Sequence, residues 1–139
     1  MNNKNELSLT YSLSVPPQQV FDAWTIPALM KSWLFKSEDN DIFSIDTDLR
    51  RGGRFSILER NGGEVIDHFG QYTKVEAPGQ LAFTLEVPKH FSGVSQVSVC
   101  ITETPGGCRM KFRQWDIDTR QTRKSWEMML RNLKMMLES

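Results

Sequence analysis

The sequence predicts an α+β fold in which seven antiparallel strands form one curved sheet around a long C-terminal helix. Apolar residues alternate with polar ones over positions 7–13, which is typical of a strand. Between positions 42 and 115, patterned runs of strand length are separated by turn sequences, as in a meander of antiparallel strands. From position 118 onward the apolar residues repeat with the 3.6-residue period of a helix. The chain has 139 residues, and we expect a single domain over residues 1–139.

Two short helices are predicted after the first strand. Pro16 and Pro17 favour a helix start with Pro17 near the first position, and Pro27 opens the second helix in the same way. The apolar face of the first helix consists of Val20, Phe21 and Trp24. The inner side of the second helix is expected to carry Leu29, Met30 and Trp33.

Six further strands are predicted, at about 42–48, 52–60, 64–75, 80–87, 95–103 and 108–115. The turns between them are marked by Gly-Gly, Asn-Gly-Gly, Ala-Pro-Gly and Pro-Gly-Gly sequences. These residues supply the backbone conformations that tight turns require.

The last segment is predicted to form the long helix. Its apolar stripe consists of Trp126, Met129, Leu130, Leu133, Met136 and Leu137. Asp118 and Gln121 resemble a capping pair, so we expect the helix to begin there and to extend for roughly 30 Å. Because the inner face of the strands is the one apolar surface large enough to cover this stripe, the sheet must curl around the helix. Such curvature favours an interior cavity between sheet and helix, and a completely filled core is the alternative.

The two cysteines are expected to remain free thiols. They lie on either side of the turn sequence Thr104–Gly107. A hairpin that pairs Glu103 with Cys108 turns Cys108 to the apolar face and Cys100 to the opposite face, so a disulfide between them is sterically unfavourable. Free thiols are typical of a reducing compartment.

Charge and hydropathy exclude several classes of partner. The chain carries 17 Lys and Arg against 17 Asp and Glu, so it has no net field to hold a nucleic acid. The first eleven residues lack the apolar core of a signal peptide, and no apolar run is long enough to span a bilayer. We therefore expect a cytoplasmic protein without membrane insertion, present as a monomer or a weak homodimer.

Several blocks of the sequence match those of a known family. They are Val20-Phe21-Asp22-Ala23-Trp24-Thr25 with Pro27, Leu29, Trp33 and Leu34; Asp48-Leu49-Arg50 with Gly52-Gly53-Arg54-Phe55; Gly70 with Tyr72; Pro78-Gly79-Gln80-Leu81 with Phe83 and Thr84; and Trp126, Met129, Leu130, Asn132 and Leu133. Together they resemble the family of the activator of Hsp90 ATPase homologue 1 (AHSA1), in the superfamily of START-like and polyketide-cyclase-like domains (SRPBCC). The resemblance covers nearly the whole chain.

This resemblance implies the helix-grip fold, which is START/Bet v 1-like, with an interior cavity between the sheet and the final helix. It also implies small bacterial domains, of which some bind flat aromatic or lipid-like molecules, and it implies no particular reaction. The sequence departs from the family at Ile26, where relatives usually carry an Asp that caps the second helix. We expect that helix start to be less stable here, by about 1 kcal/mol.

Strand register predicts where His68 points. A two-residue turn at Asn61-Gly62 would pair Phe55 with His68 and turn both inward. Glu59 shares the face of Phe55, so it would point inward too. A three-residue turn would instead send His68 outward.

The next hairpin predicts the position of Tyr72. A four-residue loop over residues 76–79 would pair Phe83 with Tyr72 and turn Tyr72 inward. Glu59, His68 and Tyr72 would then be three polar groups in an apolar wall, which is how ligand pockets are usually composed. The alternative is that these groups satisfy one another or bind buried water.

The candidate ligand-binding residues line the expected interior. They are Trp33, Phe55, Ile57, Glu59, His68, Tyr72, Phe83, Leu85, Trp115, Trp126, Met129, Leu130 and Leu133. The large flat rings would stack on a planar ligand, although Trp and Met are also ordinary core residues. No spacing of ligating residues indicates a metal site, and no nucleotide-binding or hydrolase motif is present, so we predict neither a catalytic residue nor a cofactor.

Three functions follow from these observations. The first is a binding module for a small hydrophobic molecule, aromatic or lipid-like, held between the sheet and the final helix. The second is an enzyme similar to polyketide cyclases, in which His68 or Glu59 acts as general base. The third, implied by the family name, is an Hsp90-type co-chaperone. The sequence favours binding over catalysis.

Overall fold

The computed structural model describes residues 6–139 and contains the seven predicted strands. They are β1 (Glu6–Leu13), β2 (Asp41–Thr47), β3 (Arg54–Asn61), β4 (Glu64–Glu76), β5 (Gln80–Leu85), β6 (Ser95–Thr104) and β7 (Gly107–Trp115). The strand prediction is therefore confirmed to within a few residues. The first five residues, which belong to the segment examined for a signal peptide, lie outside the described residues.

The strands form one antiparallel sheet in the order β1-β7-β6-β5-β4-β3-β2. Register shifts occur in β2 between Ile42 and Ser44 and in β4 between Tyr72 and Lys74. Such irregularities bend strands and increase their twist. At Gly70 a Cβ atom would lie 1.9 Å from the carbonyl oxygen of Thr84, so the close approach of β4 and β5 requires glycine there.

Two short helices follow β1, as predicted. Helix α1 spans Pro17–Thr25 and α2 spans Pro27–Met30, each with proline at its first position. Met30 is buried, as expected, but Leu29 is 37% exposed. The prediction for Leu29 was wrong because α2 is a single turn and presents only one side to the interior.

The C-terminal helix α3 spans Arg123–Glu138 and is shorter than predicted. Asp118 caps a separate 3₁₀ turn over Thr119–Gln121, where its side chain accepts a hydrogen bond from the Arg120 amide. The expected helix start at Asp118 was therefore wrong, although the residue is a cap. With 16 residues, α3 is about 24 Å long.

The buried stripe of α3 holds the core together. Its buried residues are Trp126, Met129, Leu130 and Leu133, each of which contributes about 2 kcal/mol when removed from water. A polar connection fixes the start of the helix: Thr122 donates to the Gln114 side chain at 2.7 Å, and Gln114 donates to Ser95 Oγ at 3.3 Å. No helix within residues 6–139 has the length and apolar character needed to cross a bilayer.

The β6–β7 hairpin has the predicted register. Glu103 pairs with Cys108, so Cys108 lies in the core and Cys100 is exposed on the opposite face. The two thiols are free, as expected from this geometry.

The weak start of α2 generates a first prediction. Ile26 is the N-cap, has an extended backbone, makes no side-chain capping bond and is 43% exposed. An Ile26→Asp substitution should raise the free energy of unfolding by about 1 kcal/mol, because the carboxylate can accept from the first amides of α2. Urea denaturation measures this change. The Ile26→Ala variant removes the same side chain without adding a cap, and an equal gain in that variant would contradict the interpretation.

Candidate functional site

Aromatic side chains fill the centre of the interior. Trp24 meets Trp33 edge to face at 4.7 Å and stacks with Phe112 and Trp126 at 6.2 Å each. The Trp33 ring nitrogen donates to the Ala23 carbonyl at 2.9 Å. Because Trp33 is fully buried and its donor is satisfied, it acts as a core residue.

Glu59 and His68 form a buried pair on the inner face of β3 and β4. Their side chains are 6% and 3% exposed, and Glu59 Oε1 lies 2.8 Å from His68 Nε2. The other carboxylate oxygen of Glu59 accepts a 2.7 Å hydrogen bond from the Asn40 side chain. Both lone-pair-bearing oxygens of Glu59 therefore have donors, as a buried carboxylate requires.

The register that places this pair differs from the prediction by two residues. The turn is Gly62-Gly63, so Ile57 rather than Phe55 pairs with His68, and Glu59 pairs with Ile66. Because side chains alternate with a period of two, a shift of two residues leaves every side chain on its predicted face. The inward direction of Glu59 and His68 is thus confirmed although their partners were wrong.

Burial sets the charge states of this pair. It lowers the pKa of the His68 imidazole, and the neighbouring Glu59 carboxylate opposes this effect only in part. Burial alone would raise the pKa of Glu59, but hydrogen bonds from Asn40 and His68 outweigh it, so the pKa of Glu59 lies below its ordinary value. At neutral pH the pair therefore consists of a carboxylate and a neutral imidazole.

The second ring nitrogen of His68 has no hydrogen-bond partner. Its Nδ1 atom is buried, and among residues 6–139 it is the one buried side-chain nitrogen or oxygen atom without a partner. Since the Glu59 carboxylate can only accept, the imidazole proton is on Nε2 and Nδ1 carries a free lone pair. An unsatisfied buried polar atom costs about 1–3 kcal/mol, so this acceptor is available to a donor on a ligand.

Phe35 covers the His68 ring. Its phenyl group stacks on the imidazole at 3.9 Å with an angle of 15° between the planes, and it meets Trp126 edge-on at 5.8 Å. The backbone of Phe35 has a φ of 59°, a left-handed conformation that is an outlier for a bulky residue. Its amide donates to the Met129 sulfur at 3.0 Å.

Tyr72 provides a second polar group in the interior. It pairs with Phe83 as predicted, although the loop between the strands has three residues, 77–79, and the irregularity after Tyr72 restores the pairing. The side chain is 3% exposed, and burial raises the pKa of its hydroxyl to about 12. Tyr72 therefore remains a protonated hydrogen-bond donor at any physiological pH.

The space left between these side chains is small. One void of about 10 Å³ lies in the interior, which is about the space that a single water molecule needs. It is lined by Trp24, Met30, Leu34, Phe35, Phe55, Ile57, Tyr72 and Phe83. Within residues 6–139, this interior is closely filled around the void, and the large open cavity favoured by the sequence is not seen there.

The predicted wall residues divide into three groups. Phe55, Ile57, Tyr72 and Phe83 line the void, and Glu59 and His68 lie behind Phe35. The second group, Trp33, Leu85, Trp126, Met129, Leu130 and Leu133, is buried in the core without lining the void. Trp115 alone makes up the third, since it lies outside the interior.

The prediction for Trp115 was wrong because of strand parity. Cys108, Met110, Phe112 and Gln114 are the inward residues of β7. Trp115 is therefore on the outer face, where the Arg113 guanidinium lies 5.0 Å from its ring centroid.

Sequence reasoning missed Phe35 and Asn40. Both belong to the segment between α2 and β2, which has neither helical nor strand periodicity. Asn40 is a polar residue that is 9% exposed and follows a loop. No pattern in the sequence therefore indicates that its side chain contacts Glu59.

Other surface features are less suited to a ligand. Two wider depressions of about 390 Å³ each are present, one beside Asp46, Arg54 and Asp67 and the other at the β6–β7 turn. Both are surface hollows, and His68 lines neither. Over residues 6–139, no group of three His, Cys, Asp or Glu side chains is placed to hold a metal ion.

Comparison with known proteins agrees with this geometry. The family model described as Activator of Hsp90 ATPase homolog 1-like protein matches residues 14–138. No curated protein matches the sequence.

Solved structures share the fold over almost the whole chain. A protein from Chromobacterium violaceum is 20% identical with a TM-score of 0.87, covering 97% of this chain and 98% of its own. The AHSA1-like protein from Aeromonas hydrophila is 26% identical with a TM-score of 0.78, covering 93% and 89%. CalU16 from Micromonospora echinospora is 21% identical with a TM-score of 0.71, covering 95% and 75%.

The charge states of the buried pair predict how stability depends on pH. An unfolded His68 titrates near 6.5, whereas folded His68 resists protonation. Its contribution to stability is therefore complete above pH 6.5 and is lost as the pH falls from there toward the lower folded pKa. Glu59 adds a second loss below pH 4.5, because its folded pKa lies beneath that ordinary value.

Urea denaturation at pH 7.5, 6.5 and 5.5 measures the first effect. The His68→Gln variant should lose less stability between pH 7.5 and 5.5 than the wild type. His90→Gln removes the exposed second histidine, whose charge helps to lower the pKa of His68, so this variant should keep most but not all of the wild-type slope. Equal slopes for wild type and His68→Gln would refute the charge assignment.

Proposed function

The chain belongs to the family of Activator of Hsp90 ATPase homolog 1-like proteins, and from this membership we propose that it binds a small, largely apolar molecule between the sheet and α3. Its fold is the helix-grip fold of its structural neighbours. In that fold the concave face of the sheet and the final helix enclose one interior, which is where a small ligand would be held.

The unpartnered Nδ1 atom of His68 is the observation that carries this proposal. It is a hydrogen-bond acceptor in an interior made mostly of aromatic and aliphatic side chains. An apolar interior with one or two convergent polar groups is the usual composition of a site that both buries and orients a ligand. A purely structural core would gain stability from apolar residues in place of both His68 and its buried partner Glu59.

Each polar group has a distinct role in the proposed site. His68 accepts a hydrogen bond from the ligand through Nδ1, and Tyr72 donates one through its hydroxyl. Glu59 does not touch the ligand; it holds the His68 ring in the tautomer that leaves Nδ1 free. Phe55, Ile57 and Phe83 form the apolar wall.

The cellular setting remains part of the proposal. The two free thiols favour a cytoplasmic location. A monomer or a weak homodimer is the expected assembly.

A thermal-shift screen tests the binding function. We expect a member of a library of flavonoids, sterols, fatty acids and small polyketides to raise Tm, since a ligand at 100 times its Kd stabilises the folded state by about 2.7 kcal/mol. Binding should also change the fluorescence of the buried Trp24 and Trp126. If no compound in the library changes either Tm or fluorescence, the proposed function is wrong.

Two variants locate the site of any ligand found in this way. The His68→Phe variant keeps an aromatic ring but lacks Nδ1, and its affinity should fall about tenfold, the value of one hydrogen bond in a buried site. Trp115→Phe changes an aromatic residue on the outer face and should bind like the wild type. A loss of affinity in the second variant and not in the first would place the ligand elsewhere.

Catalysis is the second candidate, and the orientation of His68 favours it specifically. Glu59 on Nε2 and a free lone pair on Nδ1 form the arrangement of an oriented general base. In this reaction Nδ1 would take a proton from a carbon next to a carbonyl group of a ketide. The resulting carbanion would attack a second carbonyl carbon of the same molecule, opening its C=O π bond and closing the ring, and the imidazolium would return the proton to the alkoxide oxygen.

Turnover of small poly-β-ketones distinguishes an enzyme from a binding module. In an enzyme, His68→Ala should lose about 10²–10⁴-fold in kcat, the usual contribution of a general base, with a far smaller change in affinity. Glu59→Gln should lower kcat less, because the amide can still position the ring. Absence of turnover with substrates that bind would leave the binding function alone.

A further inference from the structure

We propose that the Phe35 ring is a plug that occupies the binding position over His68, and that a planar aromatic ligand with a hydrogen-bond donor enters by displacing the Phe35–Asn40 segment. This inference rests on the proposed function, since it describes how the same interior opens. It also identifies a specificity-determining contact, the stack on His68.

The position of the Phe35 ring supports the role of a plug. The ring lies between two parts of the interior: on one side it lines the 10 Å³ void, and on the other it stacks on His68. Removing the ring would join the void to the space above the imidazole. The joined space would have an apolar end at Phe55 and Phe83 and a polar end at His68.

The backbone of Phe35 has a conformation that a phenylalanine residue does not favour on its own. A φ of 59° is disfavoured for a residue with a Cβ atom, and such conformations persist only when the surroundings enforce them. Here two contacts enforce it: the amide donates to the Met129 sulfur, and the carbonyl accepts from the Asn40 side chain at 2.7 Å. Displacing the segment would release this strain.

The segment is built as a unit with few connections to the rest of the protein. Asn40 Oδ1 accepts from the Ser37 amide, and Lys36 Nζ donates to the carbonyls of Ser37 and Asn40 at 2.6 and 2.7 Å. These bonds are internal and would be kept if the segment moved. Three polar connections would have to break: the bond from Asn40 to Glu59, the contact of the Phe35 amide with Met129, and the bond from the Lys36 amide to the Trp33 carbonyl at 3.4 Å.

The outer side of the stack is close to solvent. Phe35 is half-buried, and the ring of the exposed His90 meets the His68 ring edge-on at 6.1 Å. The Phe35–Asn40 segment and the loop that carries His90 therefore border the shortest route to His68.

The stack also defines the chemical class of the ligand. A ring at 3.9 Å and 15° over an imidazole is a parallel arrangement that only a flat group can reproduce. The free lone pair on Nδ1 lies in the plane of the imidazole and accepts a hydrogen bond from a hydroxyl or N–H group on the ligand. A flat aromatic ring that carries its donor on a short side arm satisfies both requirements, because the arm can bend out of the ring plane toward Nδ1.

The Phe35→Gly variant tests the plug with 2-naphthalenemethanol as the probe. Glycine adopts a φ of 59° without strain, so the loop keeps its path while the ring is removed. Since affinity rises with the fraction of molecules whose site is open, we expect the variant to bind 2-naphthalenemethanol at least tenfold more tightly than the wild type. Tryptophan fluorescence titration measures both dissociation constants.

Two controls define the result. Phe43→Gly removes an exposed phenyl ring from β2 and should bind 2-naphthalenemethanol like the wild type. The probe 2-(methoxymethyl)naphthalene has the same rings without a donor and should bind Phe35→Gly at least fivefold more weakly than 2-naphthalenemethanol does. That preference should disappear in the double variant Phe35→Gly/His68→Phe.

Equal or weaker affinity of Phe35→Gly for 2-naphthalenemethanol, relative to the wild type, would overturn the plug. If that variant does not fold, Asn40→Ala is the substitute, because it releases the segment from Glu59 and keeps the Phe35 ring; unchanged affinity would again overturn the proposal. The proposed function fails separately, when no library compound changes the Tm or the tryptophan fluorescence of the wild type. A library ligand that binds the wild type while the amides of residues 35–40 become more protected from hydrogen exchange would retain the function and overturn the plug.

Discussion

The structure depends on covering the apolar stripe of α3 with the concave face of the sheet. Four side chains of α3 are buried, and a helix of about 24 Å needs a curved surface of many strands to remove such a stripe from water. The bends in β2 and β4 and the close approach at Gly70 provide that curvature. Once the sheet is curved, its inner face extends beyond what a single helix can cover.

The part of the inner face that α3 leaves uncovered determines where the site lies. Helix α3 packs against β1 and α1, and α2 packs against β2. Over His68 and Glu59 the cover is instead an irregular segment, which supplies Phe35 and Asn40. Because this cover is held by a few hydrogen bonds rather than by a helix face, it is the part of the interior that can open at the lowest cost.

The sequence predicted the fold better than the site because the two rest on different kinds of pattern. Side chains alternate between the two faces of a strand, so a register error of two residues leaves each on its correct face. The sequence therefore places His68 and Glu59 on the correct face with the wrong partners. The same rule, followed along β7 from Cys108, places Trp115 outside. Phe35 has no such pattern, since its inward position depends on a left-handed turn and on distant contacts with Met129 and His68. The size of the void depends on these contacts too, which is why a filled interior could not be distinguished from an open one.

Two features that cost stability, the backbone conformation of Phe35 and the unpartnered nitrogen of His68, lie next to each other. Phe35 has a backbone conformation that costs of the order of 1–3 kcal/mol, and His68 Nδ1 is a buried acceptor without a donor, at a similar cost. Apolar residues at positions 59 and 68 together would remove the second cost, and a glycine at position 35 would remove the first. Neither feature stabilises the fold, and they are in direct contact through the 3.9 Å stack. Local conflicts of this kind are expected at functional sites.

An empty cavity would itself be destabilising, by about 24 cal/mol per Å³, so a protein that must remain folded without its ligand gains by filling the space with its own aromatic ring. The strained ring and the free acceptor are therefore explained together, as the closed form of a site that opens for a molecule able to replace both contacts.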